Sequence, residues 1–126
     1  MGDIVLVVDD NAPNLRLMSL LLSSYGFEVR CASDAAEAFA ILAASRPRLV
    51  LMDVRMPGMD GLEATRRLRA DPATADLVIV AVTASAMKGD EERVMAAGFD
   101  GYVTKPIDTR TLVATLQSML ARREGA

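Results

Sequence analysis

Five short apolar runs punctuate the chain at near-regular intervals: Ile4 to Val8, Phe27 to Cys31, Leu49 to Met52, Leu77 to Val82, and Gly101 to Val103. Most are β-branched or leucine-rich and do not alternate with polar residues. That pattern predicts strands buried on both faces, as in a parallel sheet covered by helices. The segments between them carry helical spacing instead. Leu15, Met18, Leu22 and Tyr25 form one stripe, Ala35, Ala38, Phe39 and Leu42 a second, Leu62, Thr65 and Leu68 a third, and Leu112, Leu116, Met119 and Leu120 a last one. Only the segment from Ala86 to Ala97 is weakly amphipathic. Its charges crowd together at Lys88 and Asp90 to Arg93, and its apolar anchors are Met87, Val94 and Met95.

The boundaries agree with this alternation. Asp34-Ala-Ala-Glu37 and Asp60-Gly-Leu-Glu63 read as capping boxes, Asp108 as the N-cap of the last helix, and Pro13 as a first-turn residue. Gly26 and Gly98 fall just past helix ends, where a left-handed residue is wanted. With no linker, repeat or low-complexity run, the chain reads as a single domain over residues 1–126. Its fold is (βα)5, a doubly wound five-stranded parallel sheet with helices on both faces in a three-layer α/β arrangement.

At 126 residues with a 52% hydrophobic fraction, the chain is long and apolar enough for a real core and unlike a disordered segment. A formal charge of -3 argues against a nucleic-acid groove, which wants a basic face. The single cysteine excludes an internal disulfide and a cysteine-based zinc site. The absence of histidine removes the Ser-His-Asp triad, histidine-ligated metals and imidazole acid–base chemistry. No stretch approaches the roughly 20 apolar residues of a membrane span. The N-terminus lacks both a signal-peptide pattern and a full myristoylation pattern. The expectation is a soluble cytoplasmic protein with no membrane partner.

In open α/β sheets, ligands gather beyond the carboxyl ends of the strands. That rule selects Asp9 and Asp10, Asp53, Thr83 and Lys105. Each has an ordinary reading by itself: helix capping for Asp9 and Asp10, a turn for Asp53, a solvated hydroxyl for Thr83, a surface amine for Lys105. Together they are harder to dismiss. Three acids at adjacent strand ends repel one another unless a cation sits among them, and their hard oxygens suit Mg²⁺. With Lys105 supplying a second positive charge, one carboxylate is left to act as nucleophile toward a phosphoryl group, a reaction that needs mostly positioning and charge neutralisation.

Four stretches carry a family resemblance: Val8-Asp-Asp-Asn11, Leu51-Met-Asp-Val-Arg-Met-Pro-Gly-Met-Asp-Gly61, Val82-Thr-Ala84 and Tyr102-Val-Thr-Lys-Pro106. In order, and over essentially the whole chain, they resemble the receiver domain of two-component response regulators, the CheY-like family. The stretch Val82 to Glu92 is similar to single-domain cell-cycle members and to receivers carried on hybrid kinases. The resemblance implies that Asp53 is the phosphoacceptor and Asp10 the direct Mg²⁺ ligand, with Mn²⁺ as a substitute. It further implies that Asp9 acts mainly through metal-bound water and the Arg55 backbone carbonyl completes the metal set. Lys105 then pairs with the acyl phosphate, Thr83 is the switch hydroxyl, Tyr102 the switch aromatic, and the Lys105–Pro106 bond is cis. Tyr102 is expected to turn from exposed to buried as phosphorylation draws Thr83 inward, changing the surface formed by the fourth helix, fifth strand and fifth helix.

The implied donor is a histidine kinase or histidine phosphotransfer protein, since this chain has no histidine of its own. With no effector domain expected after the last helix, output falls to a downstream protein target or a phosphorelay, and the chain is not a conventional turnover enzyme. Two other classes remain to be weighed. A haloacid-dehalogenase-type phosphatase wants a second Asp two residues after its nucleophile, where this chain has Arg55. A nucleotide or flavin binder wants a glycine- or hydroxyl-rich loop after the first strand, where this chain has Asp9 and Asp10.

Overall fold

The computed structural model describes residues 3–84 and 88–124. Strands and helices alternate: β1 (Ile4–Val8), α1 (Ala12–Ser24), β2 (Glu28–Ala32), α2 (Ala35–Ala44), β3 (Leu49–Asp53), α3 (Gly61–Ala70), β4 (Ile79–Thr83), α4 (Lys88–Ala97), β5 (Gly101–Thr104) and α5 (Leu112–Glu124). The five strands form one parallel sheet in the order β2-β1-β3-β4-β5. Parallel neighbours require crossovers, and crossovers are right-handed. The first crossover runs one way along the sheet and the next three run the other. So α1 lies on one face and α2, α3 and α4 on the opposite one, while α5 joins α1. Among the described residues, no helix is long and apolar enough to cross a membrane.

Each face has its own core, and successive side chains along a strand alternate between them. Val5, Val7, Leu49, Leu51, Val80 and Val82 pack with Met18, Leu22 and Leu116 under α1 and α5. Leu6, Val8, Val50, Met52, Ile79 and Ala81 pack with Ala38, Leu62, Leu68 and Val94 under α2, α3 and α4. Burying each valine, leucine, isoleucine or methionine among them contributes about 1.5–3 kcal/mol. Carried one residue further, Asp9 and Asp53 fall on the α1/α5 side and Thr83 on the α4 side.

The sequence expectations hold for β1 and β3, shift for β4, which starts at Ile79 although Leu77 and Val78 before it are buried, and fail for β2. It begins one residue late, and Glu28, Arg30 and Cys31 are exposed. An edge strand covered by no further neighbour has no need of two apolar faces, and the Arg30–Glu28 ion pair keeps its rim charged. Tyr25 also leaves its stripe. It is the C-cap of α1 and 59% exposed, because Gly26 turns the chain away there with φ 92°. Gly98 ends α4 in the same left-handed way, at φ 108°.

Capping differs in detail as well. Asp34 and Asp60 cap α2 and α3 by accepting the N–H of Glu37 and Glu63. The reciprocal half of each box is replaced: Glu37 accepts from Ser33, and Glu63 faces Arg66 and Arg67. Asp108 stands at the N-terminus of α5 through the turn that leads into it, its carbonyl accepting the Leu112 N–H at 3.0 Å. Its carboxylate accepts from the Arg110 N–H and closes the preceding turn. In α4, Val94 is buried but Met95 is 49% exposed and is no anchor. Met87 and the expected first turn of that helix from Ala86 lie outside the described residues.

Candidate functional site

The sheet reverses its direction of growth between β1 and β3, and side chains gather in the crevice beyond that point. Asp53 is the last residue of β3, and Asp9 and Asp10 follow β1. Lys105 follows β5, held in line by its N–H donating to the Thr83 carbonyl at 2.8 Å. The Lys105 ammonium reaches Asp53 Oδ2 at 3.1 Å and Asp9 Oδ2 at 3.6 Å. Asp9 and Asp53 are both buried, at 5% and 4% exposure, whereas Asp10 is exposed. One oxygen from each of the three acids lies within 4.8 Å of the others.

Capping does not explain this cluster. The N-cap of α1 is Asn11, whose side chain accepts the Asn14 N–H at 2.9 Å. Asp9 accepts the Asn11 N–H at 2.9 Å and the Asn14 side-chain amide at 3.4 Å, so the loop orients the Asp9 carboxylate rather than consuming it. Asn14 escapes the sequence reading; its only signal is a position one helical turn beyond Asn11. Asp53 likewise has a turn-like bond, from the Arg55 N–H to Oδ1 at 3.3 Å, while its other oxygen faces Lys105.

Burial raises the pKa of the Asp53 carboxyl, the Lys105 hydrogen bond opposes that rise, and repulsion from Asp9 adds to it. Its net basicity exceeds that of an ordinary aspartate, which favours nucleophilic use. Burial works against the charge of Lys105, but Asp53 and Asp9 outweigh it and hold the amine protonated. Three carboxylates and one ammonium leave two uncompensated negative charges if all the acids are ionised. A hard divalent cation with oxygen ligands matches that deficit, and the exposed Asp10 leaves one side open to solvent.

Thr83 is 8% exposed and ends β4 on the other face from Asp53. It borders a cavity of about 400 Å³ together with Val54, Arg55, Leu62 and Val94. Arg55 itself is exposed. The Lys105–Pro106 bond is cis. Tyr102 is not among the groups at the crevice. It is half-buried against the α2–α4 core, and its hydroxyl donates to the Glu91 carboxylate on α4. That contact is not legible in a crowded charge run.

Residues 5–117 match the family model for the response regulator receiver domain. The chain is 38% identical over 116 residues to the polar-differentiation response regulator DivK of Brucella anthropi, covering 92% of this chain and 94% of that one. Among solved structures, it is similar to the chemotaxis response regulator CheY4 of Vibrio cholerae, with 30% identity and a TM-score of 0.89 over 94% of this chain and 99% of that one. It also resembles the receiver domain of a sensor histidine kinase of Pseudomonas aeruginosa PAO1, which holds a magnesium ion in its active-site cleft. That match has 35% identity and a TM-score of 0.84 over the full length of both chains.

Proposed function

Because this chain belongs to the response regulator receiver domain family of two-component signalling, we propose that Asp53 takes a phosphoryl group from a partner's phosphohistidine. The observation that carries this reading is the position of Asp53, buried at a strand end, more basic than an ordinary aspartate and 3.1 Å from the Lys105 ammonium.

The chemistry follows from these placements. An Asp53 carboxylate oxygen attacks phosphorus as the P–N bond to the donor imidazole breaks, its electron pair staying on the imidazole. The product is an acyl phosphate, and the amine of Lys105 is placed to pair with its oxygens. The donor set fits Mg²⁺, or Mn²⁺ in its place: Asp10 as direct ligand, Asp9 acting through water, with Asp53 and the Arg55 carbonyl completing the set. Such an ion supplies neutralisation of the phosphoryl charge. Asn14 and the Asn11 N–H keep the Asp9 carboxylate turned into the crevice.

Receiver domains are not conventional turnover enzymes. This one is read as catalysing its own phosphorylation and dephosphorylation. The donor is a histidine kinase or histidine phosphotransfer protein. The output is contact with a downstream protein, or onward relay, in the cytoplasm. Thr83 acts as the hydroxyl that senses the phosphoryl group, and Tyr102 as the aromatic that reports it through α4, β5 and α5. The charge of -3 speaks against nucleic acid as the target.

The test is incubation with acetyl phosphate and Mg²⁺, followed by mass spectrometry. One phosphoryl group on Asp53 is expected, and none on Asp53→Asn. Sustained turnover of small phosphomonoesters would place the chain with the aspartyl-phosphate hydrolases instead.

A further inference from the structure

The weakly amphipathic charge run of α4 contains one residue with a specific job. Asp90 and Glu91 are adjacent acids in its first turn. Asp90 is paired with Arg93, one turn along the same helix, at 3.8 Å. Glu91 instead points to the sheet and accepts the phenolic proton of Tyr102, eleven residues away on β5. Tyr102 is thereby held between two elements. Its ring packs against the core under α2, α3 and α4, and Tyr102 also lines a cavity of about 230 Å³ with Pro106, Ile107, Asp108 and Leu112. The ring therefore has somewhere to go once the hydroxyl is released.

We propose that Glu91 is a positioning residue that latches Tyr102 to α4 and so sets which arrangement of the α4–β5 seam the domain presents to a protein partner. This rests on the reading of Tyr102 as the reporting aromatic. With Asp53 an unmodified carboxylate, the latch is closed. Any movement of the ring toward the α5 side must break the Glu91 bond, so Glu91 weights the equilibrium before phosphorylation acts on it. A hydrogen bond to a charged acceptor, partly open to solvent, biases such an equilibrium by about 10-fold. The partner it fits is a protein surface docking on α4 and β5, which reads the released or the held ring but not both.

The chain has no tryptophan and two tyrosines, Tyr25 and Tyr102, so in a Tyr25→Phe background tyrosine emission reports Tyr102 alone. A carboxylate accepting the phenolic proton quenches that emission. In this background Glu91→Ala should raise the emission, Glu91→Gln should keep part of the quenching because its amide oxygen still accepts, and circular dichroism should show all variants folded. On phosphorylation with acetyl phosphate and Mg²⁺, the parent should brighten while Glu91→Ala changes little, its ring being already free. Unchanged emission in Glu91→Ala would overturn the latch. Mass spectrometry on the same samples reads phosphoryl incorporation separately. An unlabelled Asp53 would therefore count against the proposed function, while the emission of the unphosphorylated variants still decides the latch.

Discussion

A Cβ atom on Gly61 would stand 2.2 Å from the backbone carbonyl oxygen of Asp53. The first residue of α3 is thus seated directly on the strand end that carries the candidate acceptor, an approach reinforced by the Gly61 N–H donating to Val54 O at 2.9 Å. The clash is with backbone, which cannot swing aside as a flexible side chain would. Gly61→Ala should therefore destabilise the domain by about 1–3 kcal/mol, the usual cost of overpacking. Urea denaturation measures it, and a parental midpoint would mean that α3 can lift off β3 without cost. Because the displaced atoms belong to Asp53, phosphorylation by acetyl phosphate should slow in the same variant.

Asp53 gives the domain a pH dependence whose sign is fixed. Its carboxyl binds a proton more tightly folded than unfolded, so the folded state is favoured at low pH and loses that advantage as pH rises from the ordinary value of 3.8 through the raised one. Asp53→Asn removes the effect. In metal-free buffer, the stability of the variant relative to the parent should increase across that interval and level off above it. A difference that stays flat with pH would show that Lys105 cancels the effects of burial and of Asp9 repulsion.

Asp10 separates metal from structure. It is the exposed member of the acid cluster, outside the Lys105 contacts to Asp9 and Asp53, so its loss should leave the fold intact. Millimolar Mg²⁺ should raise the melting temperature of the parent by binding the folded state only. Asp10→Asn should melt slightly higher than the parent without metal and gain little from Mg²⁺. No response of the parent to Mg²⁺ would sink the ion site.

Much of this arrangement is legible in the sequence, for physical reasons that vary by element. β1, β3 and β4 declare themselves because strands inside a parallel sheet are apolar on both faces, and the acids appear abruptly where those runs stop. β2 is less readable because an edge strand carries polar residues outward. Arg69 is illegible altogether. It looks like one more charge on α3, yet it is largely buried, pairs with Asp100 at 2.9 Å and donates to the carbonyls of Ala75, Leu77 and Gly98. Asp100 in turn accepts the Ile79 N–H. Those partners come from two separate segments, the connections leading into β4 and β5, and local periodicity contains no trace of their meeting. Glu91 is hidden for the same reason, since its partner lies on another element.

Arg55 lies two residues past the candidate acceptor with its side chain exposed at the rim of the 400 Å³ cavity. There its guanidinium can pair with a phosphoryl oxygen or with an acidic group of a docked partner. Arg55→Ala should change the lifetime of the phosphorylated protein, followed by loss of label over time. Equal lifetimes would leave it as a solvated loop residue.

Thr83 should separate labelling from read-out. Asp53, Lys105 and the acid cluster do not depend on its hydroxyl, so Thr83→Ala should accept phosphate at the parental level. A charge-assisted hydrogen bond of about 1.5–3 kcal/mol would be missing, and most of the phosphorylation-dependent gain in partner binding should go with it. Partner binding that rises as in the parent would rule out this coupling route.

The alternation of side chains between the two faces has an evolutionary corollary. Asp9 and Asp53 continue strand positions that face one side of a wall one sheet thick, whereas Thr83 continues positions that face the other, the side on which Tyr102 meets Glu91. Substitutions on opposite sides share few neighbours, and changes without shared partners combine nearly additively. A lineage can therefore redraw the α4 side for a new client while the acid–lysine chemistry is inherited intact, or retune how long the mark lasts without losing the client. Only a residue at the top of the wall, such as Thr83, ties the two histories together.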